Sequence, residues 1–225
     1  DRLYVADLPP GRGGPGRPAG PAVAPAAGGT PTITDARRLT TGDVVEHAPV
    51  WSPDGRWVAY VTWNDSSGGD IYRIRTDGAG APERLTTRSA FYDKISWSPD
   101  GSRLLAVRGS RTHRLKTLED FGNHGPTAEL EIVWLPSSGG DARSVAWLGS
   151  GATEQGRNVP HFGPDSTRLY VWTGADGLVS MRFDGTDRRT VVRVTGLPAP
   201  TGPGASSTPD EVVLSPDGTK ALVRA

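Results

Sequence analysis

The chain has 225 residues and balances 25 basic against 25 acidic side chains, which argues against a nucleic-acid or anionic-membrane partner, since both need a basic face to release counterions. Its 30 glycines and 20 prolines, about twice ordinary usage, demand many turns and exclude a helix bundle. Cysteine is absent, which removes disulfides, thiolate metal sites and cysteine nucleophiles together, and no apolar run approaches the ~18 residues of a membrane span.

The first element is a strand over Leu3 to Asp7. With no initiating Met and no leader pattern, the chain reads as cut from something longer. Pro9 to Pro31 holds seven Pro, seven Gly and five Ala in 23 residues. It cannot bury enough apolar surface to offset its ordering entropy, and is expected to be a disordered loop. Ala36 to Thr40 is the next strand. Four strands follow at His47–Trp51, Arg56–Trp63, Ile71–Ile74 and Glu83–Thr86, then four at Ile95–Trp97, Arg103–Arg108, Glu131–Leu135 and Ala142–Val145. Ser110 to Ala128 interrupts that second set, and its Leu115, Leu118 and Glu119 have helical spacing before Gly122. A third set lies at Val159–Phe162, Arg168–Thr173, Leu178–Phe183 and Arg189–Val194. Glu211–Ser215 and Lys220–Arg224 end the chain.

These elements repeat. WSPDG occurs at Trp51–Gly55 and Trp97–Gly101, 46 residues apart, and RLT recurs at Arg38–Thr40 and Arg84–Thr86 with the same spacing. Weaker copies, FGPDS and LSPDG, begin at Phe162 and Leu214. Four strands in each 40–50 residues are the signature of a β-propeller blade. The fold class is therefore all-β, with antiparallel four-stranded blades. The units are 1–40 (a partial blade with the loop at 9–31), 41–86, 87–149 (with an insertion at 110–128), 150–196, and 197–225 (a loop and the start of another blade). Three full blades and two half blades make an incomplete arc. A closed four-bladed ring would require both ends to share one blade.

The turns Pro53-Asp54-Gly55, Pro99-Asp100-Gly101 and Pro216-Asp217-Gly218 have a mechanical role. Proline presets φ at the first central position, Asp suits the second, and Gly accepts the left-handed conformation that follows. Ser166 replaces this glycine in the third unit, which implies strain or another turn type. Trp51 and Trp97 hold equivalent positions and are expected to pack between blades. Trp57, Trp63, Trp134 and Trp172 lie on strands and Trp147 just after one; buried indoles should find backbone acceptors.

No G-x-S-x-G elbow, H-E-x-x-H helix or phosphate-binding G-x-x-x-x-G-K occurs, and His47, His113, His124 and His161 form no H-x-H pair. No catalytic residue, metal ligand or cofactor site is assigned. One register is polar in every copy: the residue four places before Trp51, Trp97, Phe162 and Leu214 is His47, Asp93, Asn158 and Asp210. In a propeller this register rings one mouth of the channel, where it could bind a cation or a polar group. Strand-entry positions also favour Asp and Asn for turn reasons alone.

At these residues the sequence resembles the Tol-type WSPDG propellers, found in the periplasmic Tol-system protein and in prolyl-oligopeptidase-like enzymes. HAPVWSPDGRWVAYVTWNDSSGGDIYRIRTDGAGAPERLT, Arg108-Gly109, GLVSMRFDGTDRR (Gly177–Arg189), Val194–Gly196 and EVVLSPDGTKAL (Glu211–Leu222) look most like the amino-terminal propeller of secreted bacterial amidohydrolases. That resemblance implies a periplasmic or secreted bacterial protein and an attached catalytic domain, in which alone a divalent metal is expected. The chain itself would be a non-catalytic scaffold or gate for hydrolysis of a C–N bond. A Tol-like interaction propeller with an envelope partner, and the gating propeller of a serine peptidase, are the alternatives.

Overall fold

In a computed structural model, the structure describes residues 2–6, 36–112, 114–115, 130–148, 159–164, 166–174, 176–196, 209, 211–215 and 217–224. The loop predicted at 9–31 and most of the insertion at 110–128 lie outside them. Among the described residues, sixteen strands form five antiparallel sheets. β1 (Tyr4–Val5) and β2 (Arg37–Arg38) make a two-stranded sheet. β3 (Val45–Trp51), β4 (Trp57–Trp63), β5 (Ile71–Arg75) and β6 (Glu83–Arg84) form the first full blade. The second is β7 (Phe91–Trp97), β8 (Arg103–Gly109), β9 (Glu131–Pro136) and β10 (Arg143–Trp147). The third is β11 (His161–Phe162), β12 (Arg168–Trp172), β13 (Leu178–Arg182) and β14 (Arg189–Val192). β15 (Glu211–Leu214) and β16 (Ala221–Arg224) close the chain as another pair. Among the described residues the two terminal sheets share no strand pairing, so no pairing of the first and last strands closes the arc.

Side chains alternate across each strand, and that period of two assembles the core. On β4, Val58 and Tyr60 join Leu3, Leu39 and Ile74, against the first half blade. Ala59 and Val61 face the other way, joining Leu104, Ala106, Val133 and Leu135 of the second blade. Leu105 and Ile132 of that blade then meet Leu169, Val171 and Met181 of the third. Trp172 and Leu178 meet Val212 of the last half blade. Both faces of each inner strand are thus covered, which is why β4 and β8 read as nearly continuous apolar runs.

The RLT motif has a packing role in both copies. Leu39 and Leu85 are buried, while the following threonine donates to a carboxylate: Thr40 to Glu46 at 2.6 Å and Thr86 to Asp70 at 2.6 Å. Glu46 is only 2% exposed and also accepts from the Leu3 N–H at 3.2 Å, tying the first half blade to its neighbour.

The two equivalent tryptophans do not share an environment. Trp97 packs on the core between the first and second blades and donates its indole N–H to the Val50 carbonyl at 3.3 Å. Trp51 is 57% exposed. Among the described residues its neighbouring sheet holds only β1 and β2, with no inner strand against which Trp51 could rest. The buried Trp172 behaves as expected, donating to the Pro209 carbonyl at 2.9 Å.

Candidate functional site

The repeated turns each follow the first strand of a blade. In the first copy, Gly55 sits at φ 70°, and the Ser52 hydroxyl donates to Asp54 at 2.6 Å while accepting from the Trp57 N–H at 2.9 Å. Ser98 and Asp100 repeat this at 2.6 Å, with Gly101 also at φ 70°. Ser215 and Asp217 do so at 2.5 Å, with Gly218 at φ 68°. Hydrogen bonds from Ser215 and the Thr219 N–H hold the Asp217 carboxyl down at about 2, and the same two kinds of donor lower Asp54 and Asp100. Pro216 lies outside the described residues, as does residue 165 of the third copy. Neighbouring turns meet: the Asp100 N–H donates to Ser166 at 3.3 Å, and a Cβ at Gly218 would crowd Pro164 at 2.7 Å.

The predicted ring positions lie towards the other end of these strands: His47 is the third residue of β3 and Asp93 the third of β7, whereas the turns follow Trp51 and Trp97. Each of β3 and β7 carries a bulge directly after its ring residue, between His47 and Val50 and between Asp93 and Ser96. The bulged residues Ala48 and Lys94 adopt φ of 50° and 52°, a left-handed conformation that costs a side-chain-bearing residue about 1 kcal/mol or more. The bulges bring His47 and Asp93 within electrostatic reach on adjacent inner strands. Burial lowers the His47 pKa; the Asp93 charge and a hydrogen bond to the Tyr92 backbone oppose this in part. Asn158 and Asp210 lie outside the described residues. Among the described residues, no group of three His, Asp or Glu side chains converges as metal ligands.

His161 links two blades. Its Nδ1 meets the Val159 carbonyl at 3.2 Å, and Nε2 accepts from the Leu214 N–H at 3.1 Å on β15. Its ring stacks on Tyr170, and burial lowers its pKa. His161 therefore acts as a neutral strand-to-strand connector.

No family model matches the chain. It is 31% identical over 131 residues to an uncharacterized protein of Agrobacterium fabrum, covering 57% of this chain and 40% of that protein. It is 39% identical over 57 residues to the Tol-Pal system protein TolB of Alcanivorax borkumensis, 25% of this chain and 13% of that protein. TolB from Acinetobacter baumannii superposes with a TM-score of 0.54 at 18% identity, covering 84% of this chain and 40% of that one. The arc has the β-propeller fold. An oligogalacturonate lyase solved with manganese shares the fold at a TM-score of 0.51 and 14% identity, over 69% of this chain and 42% of that one. An uncharacterized Bacillus subtilis peptidase is 35% identical over 68 residues, 30% of this chain and 10% of that protein. The chain thus spans two fifths or less of the curated relatives it matches.

The propeller also gathers residues that spacing does not single out. Arg143 of β10 and Arg168 and Arg182 of the third blade line one groove between blades. These arginines lie 14 to 39 residues apart in the chain, and only the stacking of blades brings them together.

Proposed function

We propose that this chain is the non-catalytic propeller of a larger bacterial hydrolase, exported or held in the cell envelope. In this reading it scaffolds or gates a covalently attached catalytic domain resembling a metal-dependent amidohydrolase. The observation that carries the reading is the pair of strained bulges directly after His47 and Asp93 on adjacent strands, which leave these two side chains within electrostatic reach. Such bulges re-aim side chains, and here they give the arc a polar contact point. GLVSMRFDGTDRR at Gly177–Arg189 supports the amidohydrolase-like parent. Any divalent metal would belong to that catalytic domain.

A Tol-like role, binding an envelope protein through the same two side chains, draws support from the likeness to Acinetobacter TolB over 84% of the chain. The gating propeller of a serine peptidase draws support from the Bacillus peptidase match. The flanking reading frame separates the three. An H-x-H strand supports the first, and a G-x-S-x-G elbow the last. In a binding assay between this chain and the flanking polypeptide, His47→Ala with Asp93→Ala should weaken association roughly tenfold. Unchanged affinity would remove this pair from the contact and the reading with it.

A further inference from the structure

The groove between the second and third blades departs from the charge balance of the chain. It has a volume of about 730 Å³ and is walled on one side by Trp134 and on another by Phe183, whose rings meet edge to face at 5.8 Å. Arg103 stacks over both rings, at 5.4 and 5.1 Å, and Arg143 lies over Trp134 at 5.1 Å. The acids nearby are largely held by other donors, although Asp184 lines the groove within electrostatic reach of Arg182. Asp184 accepts from the Thr186 N–H and hydroxyl of its own turn at 2.9 and 2.6 Å. Asp187 pairs with Arg168 and with Arg189, each at 2.7 Å, and reaches Arg182 only at 3.7 Å. Arg182 keeps 64% of its side chain exposed, and Arg143 is exposed and takes part in no ion pair among the described residues.

Two guanidinium groups at the rim of an aromatic-walled groove form a recognisable receptor. A guanidinium offers two parallel donors that match a carboxylate, and aromatic faces accept a flat apolar group beside it. The groove also falls within the size range of small-ligand sites. We propose that it binds a carboxylate carried next to an aromatic ring, with the carboxylate on Arg143 and Arg182 and the ring against Trp134 and Phe183. The source is either a free aromatic acid or an acidic-aromatic segment of a protein partner. This site is separate from the His47 and Asp93 pair and stands independently of the reading given above.

Calorimetric titration of the 225-residue chain tests it with four probes: indole-3-acetate, its neutral amide, the capped dipeptide acetyl-Glu-Phe-amide, and inorganic phosphate. At least one carboxylate probe should bind in the millimolar range or tighter, and the amide and phosphate much more weakly. Arg143→Gln with Arg182→Gln should weaken binding at least tenfold. Arg75→Gln, a similarly exposed arginine on the first blade, should not change it. Tighter binding of the dipeptide assigns the groove to a protein partner, and tighter binding of indole-3-acetate to a small molecule. Equal binding of the amide or of phosphate, indifference to the double variant, or no binding of either carboxylate would overturn the proposal.

Discussion

His161 shows how a single buried side chain makes the arc sensitive to pH. Both ring nitrogens are engaged by the backbone of two blades, and burial favours the neutral form. Its folded pKa lies below the ordinary value of 6.5, so on acidification the unfolded chain takes up the proton first. The stabilisation is complete above about pH 6.5 and declines as pH falls below it, towards the folded pKa. His47, also lowered by burial, adds in the same direction. Thermal melts between pH 7.5 and 5 should show a falling midpoint. His161→Gln keeps an acceptor for Leu214 but cannot titrate, so its melts should fall less steeply. An unaltered slope would mean that His161 is not the group responsible.

At the scale of elements, the blades interlock through their turns as well as their faces. The Asp184-Gly185 turn between β13 and β14 presses on β10 so closely that a Cβ at Gly185 would overlap the Val145 carbonyl, and its φ is +77°. Gly139, in the corresponding turn of the second blade, lies 3.2 Å, measured from an added Cβ, from the Leu85 carbonyl of the first. Recurrent glycine at this point therefore serves two needs, a left-handed turn and close approach to the preceding sheet. Gly185→Ala should destabilise the chain by more than about 1 kcal/mol in urea unfolding. Gly80→Ala, at φ +83° with no atom within 4 Å of the added Cβ, should cost less, because it bears only the backbone penalty. Equal losses would show that turn conformation, not blade contact, sets the requirement.

At the scale of the whole molecule, stability depends on each blade having a neighbour. Trp97→Ala should cost on the order of 2 kcal/mol, since it removes a ring packed against the first blade. Trp51→Ala, at the equivalent but uncovered position, should cost less than about 1 kcal/mol. Acrylamide quenching should likewise be reduced by loss of Trp51 more than by loss of Trp97. Comparable losses of stability would mean that Trp51 is covered in solution. Exposed Leu222 on β16, like Trp51, marks a blade surface with no strand against it among the described residues.

The sequence alone carried the blade. Strand order, the two-residue alternation and the WSPDG turns depend on interactions within a few residues or between adjacent strands, and their signals are local: proline, aspartate and glycine at fixed offsets, and apolar runs of strand length. The RLT copies were likewise visible, although Asp70 as the acceptor for Thr86 was not, because its strand-entry position gives no sign of a partner 16 residues away. Only tertiary structure decided that Trp51 is bare while Trp97 is covered, and that three arginines from two blades share one groove. Such outcomes depend on which sheet stacks against which and on how far the arc extends. Repeated sequence makes neighbouring blades alike, but the distances between blades set the charge and shape of the spaces between them.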